Sequence, residues 1–310
     1  LKYGCDKPDL RFGLEIQDVT GIFSNSEFKA FKNAVESGSV IRMIAVSNIA
    51  SRSRKFFDDL EVIARDFGAK GLGSLNFTES GDVKGTLAKG VDEKTRMALR
   101  EISGAVPGTS LLFLADAPKV ASVLLGKIRS KLADILELRQ KKSYKFCWIT
   151  DFPMYERDPD TGQIIFSHNP FSMPQGGMKA LTDLDPLSIK AFQYDIVCNG
   201  IELSSGAIRN HLPEIMYKAF SIAGYDKDEV DKRFGGMIRA FRFGAPPHGG
   251  IAPGVDRIVM LLANEPNLRE VISFPMNQNA QDLLMGAPCE VQQKQLDELN
   301  IRVVPAKNAK

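Results

Sequence analysis

The stretch "YDIVCNGIELSSGAIR", Tyr194 to Arg209, carries two carboxylates, Asp195 and Glu202, on either side of Asn199-Gly200. A two-residue type I′ turn needs positive φ at both central positions, and Asn-Gly tolerates that best, so a tight hairpin is predicted. In the simplest register Cys198 faces Ile201, Val197 faces Glu202, Ile196 faces Leu203 and Asp195 faces Ser204. One face then holds Ile196, Cys198, Ile201 and Leu203, and the other sets Asp195, Glu202 and Ser204 around Val197. Diagonal neighbours on such a face lie roughly 7–8 Å apart at the backbone, so both carboxylates could reach one cation. A half-buried hairpin with a solvated acidic face shows the same pattern. The pair alone does not decide between them.

A second stretch, "HGGIAPGVDRIVMLL", reads as a strand of small residues that delivers Arg257 to the start of an amphipathic helix. Gly250, Ala252 and Gly254 recur at every second position, which leaves one strand face nearly without side chains. A bare face can pack against another strand or accept something flat. A guanidinium beside it suits phosphate oxygens, which it binds bidentately at full charge. The acidic pair could then hold a Mg²⁺ that bridges phosphates, since hard divalent ions take one or two carboxylates plus substrate oxygens. Carboxylates, arginine and a bare strand together make a nucleotide site.

Two regions of different composition must position these groups. From about Glu15 to Leu138 helices and strands alternate. "SEFKAFKNAVESG" has Ser26 as N-cap and Gly38 as stop, and "RKFFDDLEVIARDFG" spaces Phe56, Leu60, Ile63, Ala64 and Phe67 helically. "LGSLNFTESGDVKGTL" reads as a hairpin turning at Ser80-Gly81, "VDEKTRMALREIS" as a helix capped by Asp92, and "SLLFLADAPKVASVLL" as a strand followed by a helix with Pro118 in its first turn. After the charged junction "LELRQKKSYK" come strand "KFCWIT", a hairpin turning at Asp158 to Gly162, and the Asn-Gly hairpin. Helical patterns follow at Leu212 to Ile222 and Asp228 to Arg239, and a helix-strand pair ends near Val304. Consecutive hairpins with interspersed helices predict an α+β fold with an antiparallel sheet backed by helices.

The composition fits this picture. At 310 residues the chain is long enough for two cores, and 44% hydrophobic with 25% charged residues is that of a globular protein. A formal charge of +2 does not mark the whole chain as a nucleic-acid binder. Cys5, Cys147, Cys198 and Cys289 show no C-x-x-C spacing and read as reduced thiols, and His168, His211 and His248 show no zinc spacing. No apolar run of about 18 residues predicts a membrane span and no secretory leader is seen, so a cytoplasmic location is expected. Opening on Leu1 predicts a chain that begins mid-protein.

In combination these segments resemble the C-terminal half of bacterial-type aspartyl-tRNA synthetases, which are class II enzymes. "GIAPGVDRIVMLL" looks like class II motif 3, "FSHNPFSMP" like the flipping-loop region, "NGIELSSGAIRNH" like the aspartate-binding segment, and "YGCDKPDLRFG" like the entry to the inserted GAD domain. The resemblance implies a catalytic-domain segment at 1–14, an inserted α+β (GAD) domain at 15–138, and the C-terminal part of the class II catalytic domain at 139–310. It implies that Arg257 binds ATP phosphates with Gly254, Val255 and Asp256 lining the nucleotide, and that Glu202 binds ATP through Mg²⁺, with Asp195 sharing the ion. Arg209 would pair with the side-chain carboxylate of L-aspartate, and His168 would close over the amino acid. The implied reaction is ATP-dependent activation of aspartate and its transfer to tRNA, by a protein that is a homodimer at full length.

Two departures are visible. His168 is followed by Asn169, where other members of the family carry a second histidine. Nothing in the chain matches motifs 1 and 2 or the anticodon-binding domain, so the motif 2 arginine is missing and the chain alone is expected to be inactive. Whether the tRNA is the aspartate acceptor only or the asparagine acceptor too is left open. The rival expectation is a non-catalytic tRNA- or partner-binding module related to the synthetase.

Overall fold

The computed structural model describes residues 2–24, 26 and 28–304. The chain divides into two compact units, residues 1–252 and 253–310.

The first unit holds two separate sheets. Strands β1 (Gln17–Asp18), β2 (Val40–Val46), β3 (Gly73–Phe77), β4 (Val83–Lys84) and β5 (Ser110–Asp116) form a five-stranded sheet in the order β1-β2-β5-β3-β4. Every pairing in it is antiparallel. The helices between them are α1 (Thr20–Ser24), α2 (Lys29–Glu36), α3 (Arg54–Asp66), α4 (Glu93–Ser103) and α5 (Pro118–Ile135). Alternation in β2 and β5 sends Ile44, Val46, Leu112 and Leu114 into one core with Leu60 of α3 and Leu125, Ile128 and Leu132 of α5. Ile41, Met43, Leu111 and Phe113 enter a second core with Phe23 of α1 and Leu99 of α4. Both faces are therefore covered, which is why these strands read as continuous apolar runs.

The expected starts hold at two helices, those of Asp92 and Pro118, and Ser53, not named from the sequence, caps a third. Ser53 Oγ accepts the Phe56 N–H, Asp92 Oδ1 accepts the Thr95 N–H at 2.7 Å, and Pro118 opens α5, where its missing N–H costs nothing. Ser26 is a correction: α2 starts at Lys29 with Phe28 at the N-cap, and the Ser26 hydroxyl accepts the Phe28 N–H at 3.2 Å. Its oxygen is used one turn early, in the loop that leads in.

The segment before β1 crosses α5 closely. A Cβ on Gly4 would lie 2.1 Å from the Ser122 carbonyl oxygen and one on Gly126 would lie 2.7 Å from that of Tyr3, so only glycine fits on either side. Arg129 of α5 is 1% exposed. Its guanidinium donates to the carbonyls of Asp9, Phe12, Gly13 and Leu14 at 2.8–3.1 Å and stacks over the Phe12 ring at 4.2 Å. One cation thus ties four backbone carbonyls of residues 9–14 to the helix.

The second sheet has the order β11-β10-β9-β6, from β6 (Phe146–Thr150), β9 (Gln193–Cys198), β10 (Ile201–Ile208) and β11 (Gly249–Pro253), with hairpin β7 (Tyr155–Arg157) and β8 (Ile164–Phe166) beside it. Helices α6 (Gly177–Asp183), α7 (Pro213–Ile222) and α8 (Lys227–Phe241) accompany it, α7 and α8 close to the expected bounds and α6 not expected. Met154, Tyr155, Leu181, Ile215 and Ala219 form one core, and Met216, Phe220, Val230 and Ile238 the next. The buried Tyr155 hydroxyl donates to the Ala219 carbonyl at 2.9 Å.

The second unit contains α9 (Val255–Ala263) and α10 (Gln293–Glu298). No strand forms near Val304 among the described residues, where one was expected. Ile301 N–H donates to the Leu296 carbonyl, closing the end of α10, and Val303 and Val304 are exposed without a strand partner among the described residues. No helix among the described residues is long and apolar enough to cross a membrane.

Candidate functional site

β9 and β10 form the expected hairpin, with φ of 53° at Asn199 and 86° at Gly200. The Asn199 side chain accepts the Lys145 N–H at 3.0 Å and donates to the Ser143 carbonyl at 2.9 Å, so the turn also anchors the charged junction. The register matches expectation at Cys198–Ile201 and Val197–Glu202. A β-bulge then intervenes, and Ser204 faces Ile196 while Ser205 faces Asp195. The expected pairs Ile196–Leu203 and Asp195–Ser204 are therefore wrong. One extra residue, Leu203, turns the remainder of the strand over, which puts Ser205 rather than Ser204 on the carboxylate face.

That face is the wall of a cleft of about 340 Å³ lined by Lys7, His168, Asn169, Gln193, Asp195, Glu202, Ser205, Gly206 and Arg209. Four of the eight expected site residues, His168, Asp195, Glu202 and Arg209, meet here. Lys7, Gln193 and Ser205 were not expected. Lys7 reaches the cleft because residues 7–9 run beside the turn: a Cβ on Gly200 would lie 3.8 Å from the Lys7 carbonyl oxygen and 3.5 Å from Asp9 Cβ. Nothing in the sequence near Glu202 points to a lysine so far away in the chain. Ser205 could have been found only by recognising the bulge.

Charge in the cleft is mixed. Lys7 Nζ lies 3.4 Å from Glu202 Oε2 and also bonds Asp6. The bond to Asp6 raises the Lys7 pKa, with Glu202 adding to it against the effect of burial. Asp195 is buried and its Oδ1 has no hydrogen-bond partner, a costly state for a carboxylate that a bound cation would relieve. The Arg209 guanidinium has no carboxylate partner among the described residues, while its main chain is fixed by a 2.8 Å bond from its N–H to the His248 carbonyl. The His168 ring sits edge-on to Phe152 at 4.9 Å. Asn169 Oδ1 accepts the Phe171 N–H at 2.9 Å, so this side chain shapes the loop at the cleft rim.

Asn169 and Arg209 also line a neighbouring cleft of about 420 Å³ with Phe171, Asn210, Met237, Phe241, His248, Gly249 and Gly250. His248, to which no role was assigned from the sequence, lines it. The bare face is present at Gly250, where a Cβ would meet nothing within 4 Å. On the other side β11 presses onto β10: a Cβ on Gly206 would lie 2.3 Å from the Gly250 carbonyl oxygen, and the Tyr194 hydroxyl donates to that oxygen at 3.2 Å.

Gly254, Val255, Asp256 and Arg257 belong to the second unit, at the start of α9 with Gly254 as N-cap. The first turn of a helix presents unpaired N–H groups and a positive dipole end, and Arg257 adds a full charge there. No group of three His, Cys, Asp or Glu side chains that could hold a metal ion occurs among the described residues. The cleft offers the two carboxylates of Asp195 and Glu202.

Residues 1–278 match the family described as tRNA synthetases class II (D, K and N). The chain belongs to this family. Among curated proteins it is 56% identical to an aspartate–tRNA(Asp/Asn) ligase of Rickettsia bellii, over 100% of this chain and 52% of that protein. It is 57% identical to one of Acidiphilium cryptum over 98% and 51%. The chain thus spans about half the length of the curated relatives it matches. Of solved structures, an aspartyl-tRNA synthetase of Entamoeba histolytica is 26% identical over 50% of this chain and 27% of that one, with a TM-score of 0.34. The fold is that of the class II family as expected: mixed helix and sheet, with antiparallel pairing.

Proposed function

We propose that this chain is the C-terminal portion of an aspartate–tRNA ligase, which activates L-aspartate with ATP and transfers it to tRNA. The observation that carries the reading is the cleft itself: in a class II synthetase chain, an arginine without a carboxylate partner lines a pocket of amino-acid size together with two carboxylates. Relatives at 56–57% identity named aspartate–tRNA(Asp/Asn) ligase support the choice of amino acid and of tRNA for aspartate or asparagine.

Arg209 would take the side-chain carboxylate of aspartate bidentately, and His168 would cover the amino acid. Asp195 and Glu202 would hold Mg²⁺, which supplies neutralisation of phosphate charge when bound. Gly254 to Arg257 would bind ATP. The α-carboxylate of aspartate attacks the α-phosphate in line, a P–O bond forms, and pyrophosphate leaves with the electrons of the broken bond. Positioning and charge carry this step, so no covalent enzyme intermediate is needed. Lys7, bonded to Glu202, would hold that carboxylate in place between turnovers.

The division into 1–14, an inserted α+β (GAD) domain at 15–138 and a catalytic part at 139–310 is part of the same proposal. Separate sheets and separate cores on either side of the junction support it. Homodimerisation at full length and a cytoplasmic location go with it.

Aspartate-dependent exchange of labelled pyrophosphate into ATP tests the reading. The longer protein should exchange, its Arg209→Ala variant should not, and the 310-residue chain alone should be silent. Exchange by the longer protein with another amino acid in place of aspartate would refute the assignment.

A further inference from the structure

The five-stranded sheet carries a cavity, lined by both polar and apolar side chains, that the synthetase reading leaves unused. It measures about 380 Å³ and is lined by Ala50, Arg52, Arg54, Phe57, Asp58, Ser74, Asn76, Lys84, Gly85 and Thr86. We propose that it binds a small phosphate ester of nucleoside monophosphate size.

The floor is built for hydrogen bonding. Asn76 is 4% exposed and its amide Oδ1 has no hydrogen-bond partner. An amide can turn either its oxygen or its nitrogen to a given point, so a buried, unanswered polar end faces the cavity. Ser74 and Thr86 accept each other's backbone N–H, at 3.2 and 2.8 Å. Both hydroxyls therefore keep their own proton for a third group. Gly85, at φ 110°, makes this crossing possible, since a Cβ there would lie 2.4 Å from the Ser74 carbonyl oxygen.

The rim is cationic. Arg52 and Lys84 have no carboxylate partner among the described residues, and Arg54 is only 3.7 Å from Asp58, the single acid of the cavity. Two hydroxyl donors, an amide and three cations converging on one space match phosphate oxygens. Inorganic phosphate would leave most of 380 Å³ empty, whereas a nucleoside monophosphate fills a pocket at the small end of the usual ligand range. Phe57 offers the organic part an apolar wall.

Calorimetric titration of the 310-residue chain with adenosine monophosphate and with inorganic phosphate tests this. The monophosphate should bind with a Kd of about 1 mM or tighter and more tightly than inorganic phosphate. Affinity should fall about tenfold or more in the double variant R52E/K84E, whose positions are exposed and whose folding is checked by circular dichroism. Asn76→Leu, which keeps the volume, should weaken it too. Arg257→Ala should leave it unchanged, which separates this site from the proposed ATP site. The inference falls if no heat is seen, if inorganic phosphate binds equally well, or if binding survives R52E/K84E and disappears in Arg257→Ala.

Discussion

Arg209 is fixed at its backbone and open at its guanidinium, an arrangement that favours a planar, two-point contact over a point charge. Arg209→Lys in the longer protein should raise the KM for aspartate about tenfold or more with a smaller effect on that for ATP. Steady-state exchange assays varying each substrate check it, and equal effects on both would contradict the role. Tyr155 gives a purely structural control. Its buried hydroxyl bonds the Ala219 carbonyl, and Tyr155→Phe should cost about 1 kcal/mol of stability in urea denaturation. At this scale Asp195 and Glu202 were named from type and spacing and Arg209 and His168 from the family resemblance, and the four line one cleft. Lys7 and His248 were not named, because their place depends on packing between segments far apart in the chain.

At the scale of elements, local chemistry predicted most of what is seen. Asn-Gly turned where expected, Asp92 capped its helix, and Pro118 began α5. The misses have local causes. The bulge at Leu203 follows no turn signal, Ser26 spends its oxygen on Phe28, and the apolar residues after α10 find no strand to pair with. Contact between β10 and β11 is tightest at Gly206, where a side chain would collide with the Gly250 carbonyl. Gly206→Ala should push β11 off β10 and lower stability by about 1–3 kcal/mol, as read by thermal melts. An unchanged melting temperature would show that the strand yields freely.

For the whole molecule, residues 2–14 join the two sheets, and Arg129 and Asp9 hold them. Arg129→Met should leave four carbonyls without their donor, cost about 3 kcal/mol or more in chemical denaturation, and loosen Lys7 from Glu202. Burial alone would raise the Asp9 pKa, but bonds from Arg11 and Arg139 outweigh it and hold the carboxyl below its ordinary value. A carboxyl lowered in the folded state stabilises above its unfolded pKa, near 4, and that contribution is lost as pH falls through the folded value. Asp9→Asn should therefore weaken the protein at neutral pH and flatten its stability profile below about pH 4. Denaturation midpoints across an acid series would show a parallel, unflattened curve if Asp9 is not involved.

The bulge in β10 has a genetic corollary. Glu202 and Arg209 are separated by an odd number of steps, and on a flat strand odd steps point opposite ways. Their shared wall depends on Leu203 being an extra residue with no partner of its own on β9. A three-base deletion of that codon would leave an even number of steps between them, so a strand without the bulge would still keep Arg209 on the wall, whereas a codon inserted between Ser204 and Ile208 would turn Arg209 out of the pocket.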